Sequence, residues 1–141
     1  RGENKSVIEL CFTKKQVKVS SCSFLMDAKK QVTEYLKGKR KKLSFKIDPK
    51  GTLYQKKVWQ EISIIPYGKF LTYSNISEKI DSHPRSIGMA CGKNPLPILI
   101  PCHRVIGADR SLVGYAGGMA VKKWLLQHEF RIGLGVQTLF A

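Results

Sequence analysis

Apolar and polar positions along this chain follow two rhythms, and the change from one to the other divides it. Over residues 6–21, Val7, Leu10 and Phe12 and then Val17 and Val19 keep a partial two-residue alternation around the polar turn Thr13-Lys14-Lys15. That rhythm predicts two strands. From Ser23 to Leu36 the residues Phe24, Leu25, Ala28, Val32, Tyr35 and Leu36 recur at helical spacing, and Gly38 is placed to end the helix. Asp48-Pro49-Lys50-Gly51 reads as a linker.

Beyond it the helical rhythm dominates. Thr52 with Gln55 three residues on forms a capping-box pattern, which opens a helix through Ile62 with Val58, Trp59 and Ile62 on its apolar face. Pro66-Tyr67-Gly68 turns the chain. Two short helical patterns follow, Tyr73 to Ile80 behind Thr72 and Pro84 to Cys91, joined by Asp81-Ser82-His83. A pair of short helices on a tight polar turn matches a helix-turn-helix, although any αα-hairpin looks similar. After Asn94-Pro95-Leu96-Pro97 comes an apolar run, Ile98 to Ile100, expected to be extended. A loop from Gly107 to Gly118 leads into a last helix, Met119 to Glu129, with Val121, Trp124, Leu125 and His128 spaced towards a core. Arg131–Ala141 is expected as a short extended or frayed tail.

The expected fold is therefore α+β. Residues 1–48 form a small antiparallel sheet with a helix, and residues 49–141 form a mainly helical lobe with a helix-turn-helix.

Charge narrows the partners. The 141 residues carry 25 Lys and Arg against 10 Asp and Glu, a formal net charge of +15. Such an excess favours a polyanion, because cations that meet phosphates release condensed counterions. No stretch approaches the roughly 20 apolar residues of a membrane span. Cys11, Cys22, Cys91 and Cys102 form no CxxC pair, and His83, His103 and His128 show no ligand spacing, so no metal is expected. Reduced thiols in an intracellular protein are the preferred reading; a Cys11–Cys22 disulfide would require an oxidising or hyperthermophilic setting. The run Lys39-Arg40-Lys41-Lys42 suits a solvated loop or a phosphate contact equally.

The candidate chemistry lies at Pro101-Cys102-His103-Arg104, at the end of the apolar run. The thiolate is the nucleophilic form of cysteine, and a neighbouring histidine favours its formation. A buried structural cysteine is the plain alternative.

Taken in order, several segments closely resemble the O6-alkylguanine-DNA alkyltransferases, also called methylated-DNA–protein-cysteine methyltransferases. They are Gly51-Thr52-Leu53-Tyr54-Gln55 with Val58-Trp59, Ile65-Pro66-Tyr67-Gly68, Thr72-Tyr73, Gly92-Lys93-Asn94-Pro95, Ile100 to Ile106, Gly114 to Gly118, and Lys122-Lys123-Trp124-Leu125-Leu126. The likeness covers residues 45–130; before that it is one of layout.

The resemblance implies a suicide enzyme that moves an alkyl group from O6-alkylguanine, and by extension O4-alkylthymine, in duplex DNA onto its own cysteine. It implies flipping of the damaged nucleotide and a single turnover, with no cofactor and no metal. Cys102 would be the acceptor, His103 its base through a water, and Glu129 the group that orients His103. Tyr73 would protonate the leaving guanine, with Lys122 supporting it. Arg85 would fill the gap left by the flipped base, while Tyr73 and Ser74 at the start of their helix meet the DNA. Asn94 would brace the active-site backbone, and Val105, Tyr115, Ala116 and Gly117 would line the base pocket. Ala116 stands where many members have serine.

The span between Tyr73 and Arg85 is slightly shorter than in some members, and the zinc ligands that some members carry have no counterpart. The expected partner is double-stranded DNA containing alkylated guanine, met by a monomer inside the cell where the DNA is. A rival within the same fold is a non-catalytic alkyltransferase-like lesion binder, which commonly has tryptophan in place of the cysteine; Cys102 argues against it. A helix-turn-helix regulator and a cysteine hydrolase are the remaining alternatives.

Overall fold

The computed structural model describes residues 2–3, 6–13, 22–109, 111–112 and 115–134. Two strands open it, β1 (Gly2–Glu3) and β2 (Ser6–Val7), paired antiparallel with Gly2 opposite Val7. The ladder is shorter than the alternation suggests. Residues 8–13 form no strand, because the chain leaves its hairpin partner and bonds elsewhere. Val7 donates to the Lys46 carbonyl at 2.8 Å and accepts from Asp48 N–H at 2.9 Å, while Leu10 N–H donates to the Pro95 carbonyl at 2.9 Å. The expected strand through Val17 and Val19 lies outside the described residues, as do Gly114 and residues 135–141.

Helix α1 (Ser23–Leu36) has the boundaries its periodicity predicts. It ends in a Schellman motif: Gly38 sits at φ +77, its N–H donates to the Tyr35 carbonyl, and Lys39 N–H donates to the Glu34 carbonyl. Helix α2 (Leu53–Ser63) opens with the complete capping box of Thr52 and Gln55, and buries Val58, Trp59 and Ile62. Strand β3 (Leu71–Thr72) runs directly into helix α3 (Tyr73–Lys79), which Thr72 and Asn75 cap reciprocally. Helix α4 (Pro84–Gly92) starts on proline, with the His83 ring accepting from Arg85 N–H at 3.2 Å. Helix α3 packs on α4, and α2 packs on both. The tight turn between α3 and α4 has Asp81 at φ +52.

The run Ile98–Ile100 is not extended. It is a buried turn in which Ile98 has φ +78 and Ile100 N–H donates to the Leu96 carbonyl at 2.9 Å. A β-branched residue is strained in the left-handed region, and here burial of an apolar side chain outweighs that cost. The turn delivers Cys102–Arg104, a short 3-10 segment, into strand β4 (Val105–Ile106), which pairs parallel with β3. The last helix, α5 (Met119–Leu134), runs past the predicted end at Glu129 and packs on the Cys102 segment.

One cluster of buried residues joins Val7, Ala28 and Tyr35 from the first part of the chain to Val58, Trp59, Ile76, Ile87, Cys102 and Leu125 from the second. Cys11, Cys22, Cys91 and Cys102 all carry free thiols.

Candidate active site

Cys102 and His103 are both completely buried, 0% exposed, where the 3-10 segment meets α5. Burial pushes the Cys102 thiol well above its ordinary pKa, and the neighbouring Cys91 thiol adds to this; Lys122 and Asn94 pull the other way. A buried thiol of this kind stays protonated until a base takes its proton.

His103 is held by the helix across from it. His103 Nε2 lies 2.6 Å from Glu129 Oε2. The same carboxylate accepts from Arg104 Nε at 2.8 Å, from Arg104 Nη2 at 2.9 Å, from Gly68 N–H at 3.2 Å and from the Tyr35 hydroxyl. Burial alone would raise the Glu129 pKa, but His103 and Arg104 outweigh it and hold the carboxyl well below its ordinary range. Glu129 is therefore ionised and acceptor-only. That assigns the proton on the facing imidazole to Nε2. Burial lowers the His103 pKa, against the raising influence of Glu129, so the ring is neutral. Its Nδ1 is buried and has no hydrogen-bond partner among the described residues, so its lone pair is left to accept a proton.

A second pair lies near the thiol. Lys122 is fully buried on α5, and its Nζ donates to the Tyr73 hydroxyl at 3.0 Å. Burial pulls the Lys122 ammonium down to about 8, while the Cys91 and Cys102 sulfurs act to raise it. Burial raises the Tyr73 phenol, and the same two sulfurs add to this, so the phenol is neutral. Asn94, only 5% exposed, ties the loop beneath: Nδ2 donates to the Ile100 carbonyl at 2.8 Å and Oδ1 accepts from Leu96 N–H at 2.9 Å.

The predicted residues thus fall into three groups. Cys102, His103, Glu129, Tyr73, Lys122 and Asn94 meet in the interior. Asn94, Ala116 and Gly117 line a cavity of about 280 Å³, while Tyr115 is buried beside Cys102 and Val105 is fully buried in β4. Arg85 is exposed on the first turn of α4, and Ser74 is half-buried on the first turn of α3.

Sequence reasoning gave no role to Arg104, Tyr35 or the Gly68 amide, all partners of Glu129. Arg104 stood in view beside His103, and its Nη1 also donates to the Ile65 carbonyl at 2.6 Å. Tyr35 looked like one more apolar helix position. In the basic run, Arg40 pairs with Glu34 at 3.3 Å and Lys41 lies 5.8 Å from the centre of the Tyr67 ring, so these two residues have partners within the protein.

Fold and site together define a class: a helix-turn-helix domain fused to a buried cysteine with its own histidine and ionised carboxylate. Comparison with known proteins makes this specific. Residues 53–131 match the family described as 6-O-methylguanine DNA methyltransferase, DNA binding domain. The methylated-DNA–protein-cysteine methyltransferase of Methanosarcina mazei is 37% identical over 137 residues, covering 91% of this chain and 87% of that protein. The constitutive enzyme of the same name from Bacillus subtilis is 44% identical over 108 residues, covering 74% and 66%. A crystal structure of Mycobacterium tuberculosis OGT-R37K superposes with a TM-score of 0.82 at 31% identity, covering 99% of this chain and 90% of that one. A structure of Mycobacterium tuberculosis OGT in complex with DNA gives 0.73 at 38% identity, covering 76% and 68%. The chain belongs to the O6-methylguanine-DNA methyltransferase family.

Among the described residues, no helix is long and apolar enough to cross a membrane.

Proposed function

We propose that this protein repairs DNA directly, taking the alkyl group of O6-alkylguanine in duplex DNA onto Cys102 in a single turnover. The observation that carries the reading is the 2.6 Å bond from His103 to Glu129 beside the buried thiol. It fixes the imidazole with a free nitrogen, as the nucleophile–base–orienter logic requires.

In the proposed step the Cys102 sulfur forms a bond to the alkyl carbon while the carbon–oxygen bond to guanine breaks. The thiol proton passes through a water to His103. The electron pair goes to the guanine oxygen system, and the Tyr73 phenol supplies the proton that leaves a neutral base. Lys122, donating to the Tyr73 oxygen, steadies the phenol as it gives up that proton. The product is a thioether with no good leaving group, so the protein is consumed. Action on O4-alkylthymine would follow the same bond changes.

Because Cys102 is buried, the damaged base must come to it, which supports extrusion of the nucleotide into the pocket that Asn94, Ala116 and Gly117 border, with Tyr115 buried nearby. In this reading the exposed Arg85 enters the stack behind the extruded nucleotide, and the start of α3, with the half-buried Ser74 and the Tyr73 backbone, meets the DNA backbone. The excess of 15 positive charges supports DNA as the partner. The protein would act as a monomer, alongside the cell's DNA.

Stoichiometry tests the reading. Repaired guanine, counted against protein in the presence of excess O6-methylguanine duplex, should plateau at one per chain. Continued turnover, or none, rejects it. The cysteine also separates this protein from a lesion binder: Cys102→Ala should keep affinity for the damaged duplex and lose all transfer.

A further inference from the structure

The N-terminal segment has no part in the mechanism above, yet residues 9–12 lie along the candidate base pocket. Glu9, Leu10, Cys11 and Phe12 share the cavity of about 280 Å³ with Asn94, Ala116 and Gly117. Their position is fixed by backbone: Leu10 N–H donates to the Pro95 carbonyl at 2.9 Å, so the segment is tied to the loop that carries Asn94.

The closest approach is at Gly117. A Cβ built there would stand 2.8 Å from Phe12 Cδ2, 2.9 Å from Phe12 Cε2 and 2.8 Å from Tyr115 Cε2. Two aromatic rings therefore close on Gly117 together, a packing that any side chain at position 117 would push apart. Tyr115 in turn neighbours the reacting sulfur, which adds to the rise of its phenol pKa that burial begins. Phe12 thus meets Tyr115 across Gly117, at the edge of the cavity that Phe12 and Gly117 both line.

We propose that Phe12 is the outer wall of the alkylguanine pocket and limits the size of the alkyl group that reaches Cys102. This rests on the repair reading above. Phe12 is 41% exposed, so its ring is held by the pocket edge and not by the core. Removing it opens space where a bulky O6 substituent would lie, at little loss of buried surface. Hydrophobic pockets discriminate by such steric differences, worth about tenfold or more per displaced group.

The test compares the full-length wild type with Phe12→Ala, Phe12→Leu and Phe12→Trp. The second-order rate of transfer is measured from duplexes holding one O6-methylguanine or one O6-benzylguanine. The ratio of benzyl to methyl rates should rise about tenfold in Phe12→Ala, rise less in Phe12→Leu and fall in Phe12→Trp. A residue that merely packs on the turn would scale both rates together. An unchanged ratio across the series therefore overturns the proposal and leaves the repair reading standing. No transfer from either duplex to the wild type overturns the repair reading itself.

Discussion

At the scale of single residues, Glu129 bears the heaviest demand. One carboxylate serves a histidine, both faces of an arginine fork, a tyrosine hydroxyl and a backbone amide in a site that is 1% exposed. Glu129→Gln keeps the shape and removes the charge, which leaves the Arg104 guanidinium buried without its counter-ion. The expected loss of stability is about 3 kcal/mol, read from denaturant midpoints. Acid should have the same effect on the wild type. The carboxyl sits below its ordinary 4.5, so the unfolded chain binds its proton first and stability drains as pH falls through that value. His103, held neutral below its ordinary 6.5, acts with the same sign from a higher pH. Denaturation midpoints should therefore begin to fall as pH drops through 6.5 and keep falling below 4.5, and it is below 4.5 that the fall should be much less steep in Glu129→Gln. Equal slopes in the two proteins would count against the ionised Glu129 described here.

At the scale of elements, what was legible in the chain was local. Thr52 with Gln55, Thr72 before Tyr73 and Gly38 after Leu36 each placed a helix end correctly, because a cap is an interaction over three or four residues. Thr52→Ala should lower stability by about 1 kcal/mol in thermal unfolding, as loss of an N-cap does. What was not legible depends on distant partners. The alternation of Val7, Leu10 and Phe12 looks like a strand, but Lys46, Asp48 and Pro95 take its backbone bonds. The apolar run at Ile98 looks extended, but Asn94 draws it into a turn by bonding Leu96 and Ile100. Cys102 and His103 were visible as a motif, whereas the gathering of Tyr35 and Gly68 on Glu129 spans most of the fold and leaves no local trace. The two short helices yield their own test. If Arg85, exposed at the start of α4, fills the gap left by an extruded base as proposed, Arg85→Ala should slow transfer from duplex DNA by about tenfold while attack on the free alkylated base changes little. Equal losses on both substrates would contradict a role in base extrusion.

At the scale of the whole molecule, charge and burial act at different stages. The net charge of +15 draws the protein to DNA without regard to sequence, and affinity for duplex should fall on the order of a thousandfold between roughly 50 and 200 mM salt. Filter binding or fluorescence anisotropy across that range measures it. In the proposed mechanism the interior then does the chemistry: a protonated thiol kept from solvent, a neutral histidine aimed by an ionised carboxylate, and a phenol backed by a lysine. All of this converges on one sulfur. The most direct measurement incubates the protein with duplex bearing a deuterated methyl group on guanine O6 and locates the label by peptide mass spectrometry. One deuterated methyl on the peptide containing Cys102, matched by an equal amount of restored guanine, is the predicted result. Restored guanine with Cys102 unmodified, or the label on another residue, would contradict it.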